Sequence, residues 1–237
     1  MSASGAACVD TSFDAGPATG AGGATGAGGA SGAGGSSGAG GGSGTTACGT
    51  LTLIDDMEAD TGFICRGNGR IGHWYTYNAG TATQTPPQGT FPMLPERLNP
   101  PRGTSQFAMH TSGTFGIDMG MGCSLNGAES VPETVHAYDV SGFTGIQFYA
   151  KGTLTPASPM LQAMVQTTET EASGMANRMY INLNPTWTLY QIPFTMITGG
   201  SPSFTPKDAV TVEFLVYNNT GSSPISANFW IDDLSFY

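Results

Sequence analysis

From Leu51 to Tyr237, short runs rich in Val, Ile, Phe, Tyr and Thr recur between Gly, Pro and Asn. No segment there sustains an apolar period of 3.6 residues, so strands and not helices must carry the fold. Candidate strands fall at 51–58, 72–78, 105–111, 114–121, 144–151, 160–168, 178–183, 187–194, 209–218 and 227–237. With no convincing helix between them, they imply an all-β chain whose residues 51–237 form one antiparallel β-sandwich, or jelly roll. Two runs place adjacent acids among apolar neighbours: Ile54-Asp55-Asp56-Met57-Glu58 opens the sandwich, and Phe229-Trp230-Ile231-Asp232-Asp233-Leu234 closes it. Burying an unpaired carboxylate is costly, so such acids face water or find a partner. If the first and last strands lie side by side, these acids can share one cation.

Alternation sorts the faces of the better-defined strands. With Ile146, Phe148 and Ala150 turned inward, Gln147 and Tyr149 face out. With Val212, Phe214 and Val216 inward, Glu213 and Tyr217 face out. The run 161–166 turns Gln162, Met164 and Gln166 the same way, and Arg178 and Tyr180 add a cation and a phenol. Planar polar groups beside rings are what a sugar requires: hydrogen bonds for its hydroxyls and a flat apolar surface for its faces. An ordinary solvated sheet face carries the same residue types, so the pattern alone leaves both readings open. Trp74, Tyr75, Tyr77 and Trp230 extend the list of stacking candidates, whereas Trp187 reads as a core residue ahead of an Ile-Pro-Phe strand.

Residues 1–50 are a different material. Glycine occupies every third position from Gly20 to Gly44, among Ala, Ser and Thr, so the stretch buries too little apolar area to offset its conformational entropy. It reads as a flexible stalk; the three-residue glycine period also permits an extended assembly through residues 20–44, with neighbouring chains supplying hydrogen bonds. Seven basic against seventeen acidic residues give a net charge of −10, the wrong sign for nucleic acid or anionic lipid. No apolar run is long enough to span a membrane, and Met1–Ala7 lacks the basic and apolar regions of an export signal. The sparse charge and abundant Gly, Ser, Thr and Asn nevertheless suit an extracellular or bacterial cell-surface protein. In an oxidising compartment the simplest pairing of the four cysteines is Cys65 with Cys123, leaving Cys8 to pair with Cys48 or to carry a lipid.

Several segments resemble, in order, the carbohydrate-binding jelly rolls of the galactose-binding-like superfamily, above all the family 11 modules and CIA30-like domains. Ile54-Asp55-Asp56-Met57-Glu58 is similar to their first strand, and Gly69–Tyr77 to their second. Phe143–Gly152 resembles their central strand ending in a Lys-Gly turn, Trp187–Phe194 their late edge strand, and Phe229–Leu234 their last. The resemblance implies non-catalytic binding of a polysaccharide, and the outward set read from alternation, Tyr149, Gln162, Gln166, Glu213 and Tyr217, with Arg178 and Tyr180 beside it, is then the expected binding face. It also implies a structural calcium between first and last strands, held by Glu58 and Asp232 with Asp56 and Asp233 beside them. Calcium takes six to eight oxygens, so main-chain carbonyls would complete that shell.

Jelly rolls also carry glycosidases and lyases. A glycosidase needs two carboxylates about 5–10 Å apart, for which Glu169 and Glu213 are available. A lyase needs a His or Tyr base beside a cation, and His73, His110 and His136 with Arg70, Arg102 and Arg178 supply the types without tying them together. No Gly-x-Ser-x-Gly elbow is present. The expectation is therefore a binding module rather than an enzyme, with a fibre subunit as the first alternative and a polysaccharide-degrading lyase or glycosidase as the second.

Overall fold

A computed structural model of the protein describes residues 50–127, 135–156, 160–219, 221 and 224–237; the glycine-period stretch, Cys8 and Cys48 lie outside them. The strands are β1 (Leu53–Asp55), β2 (Trp74–Ala79), β3 (Ala82–Thr85), β4 (Glu96–Arg102), β5 (Ser105–Phe115) and β6 (Asp118–Ser124), then β7 (Gly145–Thr155), β8 (Leu161–Thr167), β9 (Asn177–Ile181), β10 (Thr188–Pro193), β11 (Ala209–Tyr217) and β12 (Ile225–Phe236). One short helix, α1 (Thr168–Ser173), sits between β8 and β9. A seven-stranded sheet runs β10-β7-β12-β5-β3, with β1 added to β12 and β4 to β5; a five-stranded sheet runs β2-β6-β11-β8-β9. All the ladders are antiparallel.

The inward faces meet as alternation requires. Phe148 of β7 packs edge-on against Phe214 of β11 at 4.7 Å between ring centroids, and Trp74 of β2 stacks on Phe214 from the other side at 6.4 Å. All three are fully buried. Trp74 is thus a core residue and not a sugar platform. Its indole Nε1 donates to Asp55 Oδ2 at 2.7 Å, which brings a carboxylate into the interior with it.

Three elements depart from the alternation pattern, each for a local reason. The Ser-Gly at 112–113, which breaks the run on paper, lies inside β5: a side chain at Gly113 would strike the Thr83 carbonyl of β3, so glycine marks a close strand approach and not a turn. Pro100 and Pro101 hide β4, which pairs with β5 only near its two ends. Thr167 and Thr170 cap each other to start α1 within a Thr-rich run that otherwise reads as strand, and Gly174 (φ 68°) ends it.

The first and last strands do lie together, with Leu53 opposite Ser235. Arg70 locks this joint: its buried guanidinium donates to the carbonyls of Leu51 (2.9 Å) and Leu53 and lies over the rings of Tyr138 and Phe236. The expected Cys65–Cys123 bridge is not formed. Cys123 is a buried thiol of β6 on the core side of the strand, between Trp74 and Val212, whereas Cys65 is disulfide-bonded elsewhere. Alternation within β6 turns Cys123 into the sandwich core, beside Met119 and Met121.

Candidate functional site

The outer face of the five-stranded sheet carries a cleft of about 640 Å³. Its walls include Tyr75, Tyr77, Phe91, Glu171, Thr211 and Glu213. The cleft exists because β6 reads Asp-Met-Gly-Met-Gly-Cys: Met119, Met121 and Cys123 fill the core, while Gly120 and Gly122 leave bare backbone outside. Any side chain at Gly120 would collide with the Tyr77 ring, and one at Gly122 with Glu213.

Strand register lays the face out in rows. One row reads Tyr75, Gly122, Glu213, Met164, Arg178 across β2, β6, β11, β8 and β9; the next reads Tyr77, Gly120, Leu215, Gln162, Tyr180. Tyr75 Oη donates to Glu213 Oε1 at 2.7 Å across the bare Gly122, and Gln166 Nε2 donates to Glu213 Oε2 at 2.7 Å. The hydroxyls of Tyr77 and Thr211 lie close enough to feel the same carboxylate, but among the described residues neither they nor Gln166 Oε1 complete a regular hydrogen bond. Burial lifts the Glu213 carboxyl above the usual carboxylate range, with the Tyr75 and Gln166 donors opposing the rise. Burial, reinforced by the nearby Glu213, pushes the phenols of Tyr75 and Tyr77 well above their ordinary value, so both stay protonated.

Across β8 lies a second hollow, of about 540 Å³, lined by Arg178, Tyr180, Met196 and Thr198. Arg178 donates to Gln162 Oε1 at 3.2 Å and to the Ala176 carbonyl at 3.1 Å, while Tyr180 stands half exposed. Tyr217, also half exposed, ends β11 opposite Asp118.

Six of the seven anticipated binding residues therefore share one face: Gln162, Gln166, Arg178, Tyr180, Glu213 and Tyr217. Tyr149 does not. It belongs to β7 of the other sheet, where the Arg102 guanidinium lies 4.0 Å over its ring. That sheet's outer face brings aromatics and cations together: Trp187 lies near Arg102 and Lys151, Trp230 near Lys151, and His110 is parallel to Trp230 at 3.8 Å. Trp187 is half-buried in this array and is not a core residue. Alternation within one strand fixes inside from outside but cannot say which of two outsides it is, so Tyr149 lies outside on the sheet opposite the one expected.

The acids assigned to calcium meet other partners. A bulge in β12, with Asp233 at φ 49°, turns two successive residues toward one side. Arg102 Nε then donates to Asp232 Oδ2 at 2.8 Å, and its Nη2 to Asp233. Ser105 Oγ adds a bond to Asp232 Oδ2 at 2.7 Å. Glu58 Oε1 accepts the backbone N–H groups of Gln106 and Phe107, and Asp56 that of Glu58. As placed, this donor-facing set does not fit one calcium held between Glu58 and Asp232. Among the described residues no group of three or more His, Cys, Asp and Glu is gathered for a metal.

Nor do the enzyme candidates assemble. Glu169 does not line the cleft, but Glu171, two residues on, does. His73 is buried among Phe63, Tyr75 and Phe91, while His110 is on the other sheet.

A two-sheet antiparallel sandwich with a tyrosine-lined, carboxylate-floored cleft on one face is the build of a carbohydrate-binding module. Residues 67–237 match the family described as Carbohydrate binding domain 30, and the chain belongs to that family. Its function is carbohydrate binding. No curated protein matches the sequence. Similar solved structures include the family 11 carbohydrate-binding module of the cellulosomal cellulase Lic26A-Cel5E of Clostridium thermocellum, at 15% identity and TM-score 0.46, covering 78% of this chain and 92% of that one. A family 11 module from the same organism, in complex with a β-1,3-1,4-mixed-linked tetrasaccharide, also matches at 15% identity and TM-score 0.46, covering 78% and 94%. The family 30 module of its cellulosomal cellulase Cel9D-Cel44B matches at 11% identity and TM-score 0.45, covering 75% and 96%.

Proposed function

We propose that the protein binds a polysaccharide, without cleaving it, along the outer face of the five-stranded sheet. The observation that carries this reading is the Tyr75–Glu213–Gln166 hydrogen-bonded group at the floor of the cleft, with Gln162, Arg178 and Tyr180 continuing the same face across β8 and β9. Rings in such sites contribute about 1 kcal/mol each beyond their area burial, so a face with a few platforms gives weak to moderate affinity. An extracellular or cell-surface setting belongs to the same proposal; the acidic, Gly- and Thr-rich composition supports it, and the glycine-period stretch would serve as the tether.

Calcium enters this proposal only as a competitor of Arg102, because an ion at Glu58 and Asp232 would have to displace that guanidinium and two N–H donors. We take Arg102 to be the cation that neutralises the acids of the last strand, while Arg70 ties that strand to the first. The functional reading is tested by titrating the full chain with a panel of oligosaccharides and examining each mixture for products after long incubation. Binding with intact ligand supports it. Released sugars or unsaturated ends overturn the non-catalytic part, and no binding by any glycan overturns the whole.

A further inference from the structure

The charge inventory of the cleft is one-sided. Among the described residues that line it are two carboxylates, Glu213 and Glu171, three aromatic rings, Tyr75, Tyr77 and Phe91, and no basic side chain. Glu213 is nearly buried, and its two oxygens accept only from neutral groups, the Tyr75 hydroxyl and the Gln166 amide. A buried carboxylate without a counter-charge is a standing electrostatic cost. The nearest cation in its row, Arg178, lies two strands away beyond Met164 and is turned to Gln162 and the Ala176 carbonyl.

Neutral sugar hydroxyls would satisfy hydrogen bonds here but would leave the charge unbalanced. A ligand ammonium would balance it. Three further features of the cleft suit the same group. Tyr75, Tyr77 and Phe91 line the cleft, and an aromatic ring carries a quadrupole whose face attracts cations. Thr211 lines the cleft and its buried hydroxyl completes no regular bond among the described residues, and neither does Gln166 Oε1, behind Glu213. An ammonium brings three N–H groups to such acceptors.

We infer that this cleft selects amino-sugar units, so that the module's polysaccharide carries free amines and is cationic, not neutral. The inference rests on the reading that the cleft is the saccharide site. An ammonium could also come from a lysine side chain; membership in a carbohydrate-binding family assigns it to a sugar.

The test compares three oligosaccharides of equal length on the full chain by calorimetric titration: one of glucosamine, its N-acetylated counterpart, and a neutral glucan. The expected result is a preference of about tenfold, or 1.4 kcal/mol, for the free amine over the acetamide. That preference shrinks with added salt and passes through a maximum with pH, between protonation of Glu213 and deprotonation of the amine. Glu213→Gln is expected to abolish the preference. It should fold, because the new amide can donate to Gln166 Oε1 once the Gln166 amide turns over, and still accept from Tyr75. Glu171→Gln, at the rim, is expected to reduce the preference by about threefold and serves if the first variant fails to fold. Equal binding of the three ligands overturns this inference and leaves the polysaccharide reading standing. A preference that survives both substitutions also overturns it, by placing the recognising charge elsewhere. Failure of all three ligands to bind overturns the reading beneath it as well.

Discussion

Tyr75 and Glu213 are joined by a 2.7 Å hydrogen bond that spans a whole strand, passing over the bare backbone of Gly122. The bond exists only because nothing projects from that position. A Cβ at Gly122 would sit 2.7 Å from Glu213 Cγ and 2.9 Å from the Val212 carbonyl. Gly122→Ala is therefore expected to push the carboxylate off Tyr75, weaken saccharide binding by about tenfold or more, and destabilise the fold by about 1–3 kcal/mol through overpacking. Titration and urea denaturation measure the two effects. Unchanged affinity in a variant that shows the stability loss would detach the Tyr75–Glu213 pair from binding.

Arg102 gives a separate prediction about the acidic bulge of the last strand, which it ties to β4. It holds Asp232, which is fully buried, together with Asp233. Removing one partner of a buried ion pair typically costs about 3–5 kcal/mol because the other charge is left uncompensated. Arg102→Ala is expected to show a loss of that size, and Arg102→Ala with Asp232→Asn to recover part of it. Excess chelator should leave the melting temperature of the unaltered protein where it was. A fall in melting temperature on chelation, restored by calcium, would return these acids to the metal.

The double use of alternation explains how far the sequence could be read. Facing runs such as Ile146-Phe148-Ala150 and Val212-Phe214-Val216 declare the core, and turning their neighbours outward places Gln162, Gln166, Glu213 and Tyr217 on the cleft-bearing face, which Arg178 and Tyr180 join through strand register. Tyr149 obeyed the same rule on the other sheet, since a period of two carries no information about which sheet a strand joins. Gly120 and Gly122 were visible as letters, and a Met-Gly-Met-Gly run was the available signal for a bare trough. Its meaning depended on Tyr77 and Glu213 arriving from strands far away in the chain. Asp232 and Asp233 stood out at once, but their common partner, Arg102, is 130 residues distant from the first of them and sits past two prolines that disguise β4.

The sheet assignment itself can be tested with single tyrosines. Tyr180 stands half exposed on β9 of the cleft-bearing sheet, whereas the Tyr149 ring is covered by Arg102 on the opposite one. Tyr180→Ala is expected to reduce affinity for long oligosaccharides by about fivefold, the worth of one stacking platform. Tyr149→Ala should leave affinity within error while lowering stability by about 1 kcal/mol, through loss of its cation–π contact with Arg102. The reverse pattern would move the binding face to the seven-stranded sheet.

Asp55 makes stability depend on pH in an unusual direction. Burial pushes its carboxyl up to about 7, and neighbouring Asp56 and Asp232 add to the rise, while donation from the Met57 N–H and the Trp74 indole opposes it. In the unfolded chain an aspartate titrates near about 3.9. The folded state thus binds this proton more tightly than the unfolded one. Its contribution is fully present below about pH 4 and is lost as pH rises through about 7, a difference of about 4 kcal/mol. Burial raises Asp232, Glu213 and Asp118 as well, so they slope the same way. Urea denaturation across this range should show the unfolding free energy falling as pH increases. Asp55→Asn keeps an oxygen for Trp74 and carries no proton to lose, so its profile should be flatter by most of the Asp55 share. A variant profile parallel to that of the unaltered protein would mean that Asp55 ionises freely in the folded state, and that the Trp74 indole and the Met57 N–H suffice to hold it charged.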